Sequence, residues 1–179
     1  MSQENTPAFT LLSPLEELKH ELLDKKNIKL FVKRDDLIHP WLSGNKYRKL
    51  KYNILKAKAD GKFTIITFGG AFSNHLYATA GAGNLFDLKT IGIVRGEIDE
   101  QNPTLSFCKA MGMTLIPVSR QAYRHKESSD EIKNIISLYP ESYIIPEGGT
   151  NELALKGVSE MLDETYQQLA SVPDIIVLS

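Results

Sequence analysis

Phe63-Thr64-Ile65-Ile66-Thr67-Phe68, running into Gly69-Gly70-Ala71-Phe72-Ser73-Asn74-His75, is the stretch that decides the fold. Six apolar and β-branched residues without polar alternation read as a strand covered on both faces, which is the habit of parallel sheets. The polar, glycine-containing segment that follows reads as a turn into a helix over 74–85. Ala78, Ala80, Gly81, Ala82 and Gly83 would let that helix approach its neighbours closely. Working outward, further strands are expected at 29–33, 90–94, 113–118, 142–145 and 174–178. Helices are expected at 45–60, 103–111, 119–138 and 150–170. Gly61 ends the first of these, Pro103 opens the second with Gly112 behind it, and Pro140 follows the third. On the 45–60 helix Tyr47, Leu50, Ile54 and Leu55 share a face. On the 150–170 helix Leu153, Leu155, Val158, Met161, Leu162, Tyr166 and Leu169 are spaced for burial. Residues 14–23 could form a short helix leading into the first strand.

Strands alternating with helices predict an α/β protein, a parallel sheet with helices on both faces and right-handed crossovers. Such sheets bind ligands beyond the carboxyl ends of their strands, which directs attention to the loops after Phe68 and Ile145. No Gly-x-Gly-x-x-Gly and no Gly-x4-Gly-Lys-Ser/Thr is present, so neither a dinucleotide fold nor a P-loop has support. The expected 174–178 strand ends at its own carboxyl edge. That predicts an edge strand or a piece of a longer chain, and the second is the better reading.

Bulk properties exclude more than they assign. In 179 residues, 42% are hydrophobic and 24% charged, which is ordinary for a globular domain. Lys+Arg 21 against Asp+Glu 22 gives a net charge of −1, so no global field draws nucleic acid or a membrane. Cys108 stands alone in a helical pattern and reads as a core filler. With no charged-then-apolar leader, the cytoplasm is the expected compartment.

Lys46 carries the chemistry. It lies in Ser43-Gly44-Asn45-Lys46-Tyr47-Arg48-Lys49-Leu50, where a loop becomes a helix. The positive end of the helix dipole disfavours a second positive charge there, and so favours the neutral amine that attacks carbonyls. Two more helix starts, at 69–75 and at Glu147-Gly148-Gly149-Thr150-Asn151, suit anions. Together they suggest Schiff-base chemistry on a phosphorylated or carboxylated ligand. Arg48, Lys49 and Lys51 read most simply as a solvated helix face, Asp35 and Asp36 as structural hydrogen-bonders pointing apart. Ser73 is an N-cap in any reading, and a Ser73–His75 hydrolase pair is disfavoured because neighbours two apart on a helix do not face each other. Glu147 reads equally as a catalytic acid or a loop end. No metal site is assigned.

Four stretches carry a resemblance: Phe31-Val32-Lys33-Arg34-Asp35-Asp36-Leu37, the 43–50 run, Phe68-Gly69-Gly70-Ala71-Phe72-Ser73-Asn74-His75, and Ile145-Pro146-Glu147-Gly148-Gly149-Thr150-Asn151. In that order the chain resembles the 1-aminocyclopropane-1-carboxylate deaminase and D-cysteine desulfhydrase family, pyridoxal-phosphate enzymes of the tryptophan-synthase-β fold type. The resemblance implies pyridoxal 5'-phosphate as cofactor, held by Lys46 as an internal aldimine, with Lys46 also moving protons. It implies cofactor contacts from Asn45, Asn74, Gly148 and Gly149, with Asn151 in the same loop. It implies Ser73 as a catalytic residue, and Ser73, Asn74 and His75 as the residues that hold the substrate carboxylate. His75 looks closer to the desulfhydrase branch, since the deaminase branch tends to carry Gln there.

By the same resemblance, residues 1–50 would begin a large cofactor domain, 51–160 would form the small domain, and 161–179 would return to the large one. A glycine- and threonine-rich phosphate loop, a tyrosine and an acidic residue near the pyridine nitrogen belong to the family beyond this length, so the chain is expected to be truncated. The expected activity is a deaminase or lyase acting on a small amino acid such as D-cysteine or 1-aminocyclopropane-1-carboxylate, a hydrolase or a carbon–sulfur lyase by class. The alternative is a non-catalytic truncated product or a small-molecule-binding module. Homo-oligomers are compatible with the exposed apolar surface of an unfinished domain.

Overall fold

A computed structural model describes residues 12–177, with only the backbone at Glu127. Its centre is a four-stranded sheet in the order β5-β4-β3-β6: β3 Thr64–Gly69, β4 Lys89–Arg95, β5 Thr114–Val118 and β6 Ser142–Ile144. Every pairing in it is parallel. Ile66 lies opposite Ile91 and Ile144, and Ile93 opposite Ile116. Residues two apart along β3 face the same side. Ile65 joins a cluster with Leu50, Ile54 and Ala57 of α2 (Asn45–Ala59) and Ala78 and Ala82 of α3 (Asn74–Phe86). Ile66 and Phe68 face the other way, onto Ala122 and Tyr123 of α5 (Arg120–His125) and Ile132 of α6 (Asp130–Ser137). A third cluster joins Leu76 and Ala80 to Leu105 and Cys108 of α4 (Pro103–Ala110). Helices therefore cover both faces, as the burial of the 63–68 run requires.

Small residues set the closest approaches. A Cβ at Gly83 would come within 2.6 Å of Thr90 Cγ2, and one at Gly81 within 2.8 Å of Trp41 Cβ, so α3 can lie where it does only with glycine at both positions. Cys108 is fully buried among these contacts, and burial pushes its thiol up to about 12, which suits a core filler.

Several elements differ from expectation, each for a local reason. The 29–33 strand is β2 (Leu30–Lys33), but it is outside the main sheet. It forms an antiparallel pair with β1 (Leu15–Leu18), a segment expected to be helical, and α1 (Glu21–Lys25) sits between them. Leu15 and Leu18 are three apart, with Glu16 and Glu17 between them, a spacing that fits a helix turn as well as a short strand, and pairing with β2 decides it. The 119–138 helix is two helices, α5 and α6, separated by a 3-10 turn at Lys126–Ser128. Lys126 has φ 45°, and Ser129 is extended with ψ 134°, so the helical ladder breaks and restarts. α7 (Glu152–Leu169) buries only Ala154 and Gly157; Leu155 and Tyr166 are exposed, because α7 is covered on one narrow side by α2. Leu55 of α2 is likewise exposed. Asp174 to Val177 pair with no strand, and Ile175 and Val177 are more than four-fifths exposed; Leu178 lies outside the described residues. A strand is held by its ladder, and these residues have none.

Candidate functional site

Gly44 caps α2 with φ 60° and ψ −151° and donates its amide to the Asp35 carbonyl (2.8 Å), which places Lys46 in the first turn. The Lys46 Nζ donates to Asn45 Oδ1 at 2.9 Å. Burial, with Lys49 nearby, pulls the Lys46 amine below the usual lysine range. Lys49 itself donates to Thr150 Oγ1 at 3.1 Å, so the start of α2 reaches the loop after β6.

The turn after β3 is built around Ser73. Its Oγ accepts the Leu76 amide at 3.2 Å and caps α3. The amides just before Leu76, at Asn74 and His75, belong to the first helical turn and have no carbonyl behind them in the helix. Gly69 permits the tight turn, since a Cβ there would fall 2.6 Å from both Ser73 Oγ and Leu76 Cγ. Asn74 is exposed, Ser73 half-buried.

His75 points inward and is 2% exposed. The Thr67 hydroxyl donates to the Ile145 carbonyl at 2.8 Å, so its oxygen is free to accept from His75 Nε2–H, also at 2.8 Å. That leaves Nδ1 as the bare nitrogen, buried and without a hydrogen-bond partner. Burial, then the charges of Lys46 and Lys49, push the ring down to about 3, so it is neutral at physiological pH. Gly149, at φ 69°, packs on the ring; a Cβ there would stand 3.0 Å from His75 Cε1. Gly148 also has a positive φ of 68°. Asn151 is turned away from this group: its side chain caps α7 through the Ala154 amide (2.9 Å) and exchanges amide hydrogen bonds with buried Asn53.

The structure thus places Ser73, Asn74, His75 and Gly149 around one helix end, with Lys46 and Lys49 close enough to act on the His75 ring. Two groups were not legible from sequence. Arg48, read as part of a solvated face, is 2% exposed. It grips Asp35 (2.6 and 2.8 Å) on one side and Glu164 of α7 (2.8 and 2.9 Å) on the other. Asp35 also accepts the Ser13 hydroxyl, while Asp36 pairs with Arg34, so the adjacent acids do point apart. The second group is a row of cations, Arg95, Arg120, Arg124 and Lys126, lining an open cleft of about 1020 Å³ beside Gly70 and Ser73. Arg95 ends β4, and Arg120 follows β5 by two residues. Position at a strand's carboxyl end was the available signal.

A family model described as pyridoxal-phosphate dependent enzyme matches residues 5–179, and the chain belongs to that family. Its relatives narrow the group. A putative 1-aminocyclopropane-1-carboxylate deaminase of Thermotoga maritima is 35% identical over 88% of this chain and 51% of its own length. The bifunctional mitochondrial D-cysteine desulfhydrase/1-aminocyclopropane-1-carboxylate deaminase of Arabidopsis thaliana is 33% identical over 81% of this chain and 39% of its own. The crystal structure of an ACC deaminase homologue superposes with a TM-score of 0.72 at 25% identity, over 94% of this chain and 52% of that one. The chain spans about half the length of the curated relatives it matches. No helix among the described residues is long and apolar enough to cross a membrane.

The residues present fit part of such a cofactor's needs. Lys46 supplies an amine shifted toward neutrality, α3 supplies an open helix start, and His75 Nδ1 is an unpartnered acceptor buried behind it.

Proposed function

We propose that this chain contributes the lysine and the substrate loop of a pyridoxal-phosphate-dependent deaminase or lyase acting on a small amino acid, of D-cysteine or 1-aminocyclopropane-1-carboxylate type. The observation that carries the reading is Lys46 itself, an amine in the first turn of α2 that burial and Lys49 hold below its ordinary pKa. Lys46 would hold the cofactor, with Asn45, Asn74, Gly148 and Gly149 beside it. Bound pyridoxal phosphate supplies an electron sink for the pair left when a bond at the substrate Cα breaks.

The remaining work falls to this chain. The first-turn amides of α3, with the Ser73 side chain, receive the substrate carboxylate. Lys46 Nζ takes and returns a proton, at Cα for an amino acid of D-cysteine type and at a ring methylene for 1-aminocyclopropane-1-carboxylate, whose Cα carries no hydrogen. His75 supports that loop from beneath. Being neutral, it can accept at Nδ1 without bringing charge into the site. Its burial favours a positioning role over direct substrate contact. Whether the bond broken is a carbon–carbon bond of a strained ring, with the nitrogen leaving afterwards as ammonia, or a carbon–sulfur bond depends on what faces the substrate from outside these residues.

The division of the chain into 1–50, 51–160 and 161–179 is part of the proposal. Leu18, Leu30 and Val32 on the hairpin and Val172, Ile175 and Val177 all leave apolar surface open, as pieces of a larger domain would. A cytoplasmic location is supported by a single, fully buried thiol.

Adding pyridoxal phosphate to the full-length parent protein should produce the visible absorption band of a lysine-bound cofactor. In Lys46→Ala the band should be lost; a band that persists unchanged would defeat the assignment.

A further inference from the structure

We propose that the arginine-lined cleft beside Ser73 is a subsite for an anionic side-chain group, so that a small amino acid carrying a second acid binds here in preference to its uncharged counterpart. The inference rests on the reading of α3 as the carboxylate site.

Charge placement carries it. The cleft is lined by Arg95, Arg120, Arg124 and Lys126 with Glu147 as its acid. Lys126 is paired with Glu147 at 2.8 Å, and the other Glu147 oxygen accepts the Tyr123 hydroxyl at 2.7 Å. Burial acts against the ionised form of that carboxylate, but the Lys126 and Tyr123 hydrogen bonds, with the charges of Lys126 and Arg95, hold it below the usual range. Among the described side chains Arg95, Arg120 and Arg124 make no direct ion pair with a carboxylate; Arg95 acts on Glu147 only through its charge. Three guanidinium groups around one concavity repel one another, and an anion between them relieves that repulsion. Arg95 is seated rather than loose: its guanidinium lies 5.8 Å from the ring centre of Tyr123, which is 4% exposed. The geometry sets the ligand's direction. Ser73 both caps α3 and lines the cleft, so an amino acid anchored by its carboxylate at the first turn of α3 can lay its side chain among the arginines. Planar guanidinium groups suit phosphate, sulfate or carboxylate oxygens.

The test compares serine with O-phosphoserine of the same configuration on the cofactor-loaded full-length parent. Affinity is read from the shift of the cofactor's absorption band. O-phosphoserine should bind about ten-fold tighter than serine, as two solvent-exposed ion pairs allow, and the ratio should shrink with added salt. In Arg120→Gln/Arg124→Gln the ratio should fall toward one, and in Arg120→Lys/Arg124→Lys it should largely return. A ratio near one in the wild type, or one that survives the glutamine pair, overturns the proposal. If the cofactor proves not to bind through Lys46, phosphorus NMR of O-phosphoserine with the cofactor-free protein still reads the cleft. Broadening in wild type that the glutamine pair abolishes supports it, and equal broadening in both overturns it.

Discussion

Lys46 and His75 sit in one electrostatic unit. Each is pulled toward its neutral form, Lys46 by burial and Lys49, His75 by burial and then by Lys46 and Lys49. The helix-start argument for Lys46 needed only local sequence. The burial of His75 did not show there, because the ring's partner Thr67 lies eight residues back on β3 and is itself bonded to the carbonyl of Ile145, just past β6. The His75 shift makes a pH prediction. In the unfolded chain the ring takes a proton near 6.5, whereas in the fold it resists until about 3. The unfolded state therefore binds more protons between those values. The stability is fully present above the upper one and falls as pH drops through the window, by up to about 1.4 kcal/mol per pH unit. His75→Gln cannot titrate, so its urea midpoint should decline less steeply than wild type across this range. Equal slopes would mean that His75 is not buried as described.

At the scale of elements, α2 is held from two sides by one residue. Arg48 joins the β1–β2 hairpin side, through Asp35, to α7, through Glu164, and Lys33 adds a second cation to Glu164 at 2.9 Å. Burial works against the Glu164 anion, yet Arg48 and Lys33 hold its carboxyl down to about 2. Arg48→Met leaves Asp35 and Glu164 without their shared cation and should cost about 3 kcal/mol, since removing one partner strands the others. The same contact needs Gly157: a Cβ there would collide with the Arg48 carbonyl. Gly157→Ala should lower stability by about 1–3 kcal/mol through overpacking. Denaturant melts of both variants check this, and a neutral Gly157→Ala would show that α7 does not lie on α2. Helical periodicity finds α2 and α7 but cannot report that an arginine is inside. The i, i+3, i+4 rule counts apolar residues, and this interface is made of a glycine, an alanine and a charge network.

For the whole molecule, the apolar runs at 63–68 and 90–94 were enough to read a doubly covered parallel sheet, and the four strands from Thr64 to Ile144 form it. The loops after Phe68 and Ile145 were legible as the carboxyl edge of that sheet for the same reason, and they meet where Gly149 packs on His75. The hairpin and residues 174–177 were misread because their surroundings decide them. Short segments form a ribbon only when a partner is near, and an apolar run becomes a strand only beside a sheet edge. The cationic cleft was missed because Arg95, at the end of β4, is distant in sequence from Arg120 and Arg124 of α5 and meets them only in the fold.

The central claim is that Lys46 is the cofactor lysine. Borohydride reduction of the cofactor-loaded parent protein, followed by proteolysis and mass spectrometry, tests it directly. The account predicts the added pyridoxyl mass on the peptide containing Lys46 and on no peptide containing Lys49 or Lys51 alone. The mass on another lysine, with Lys46 unmodified, would contradict it.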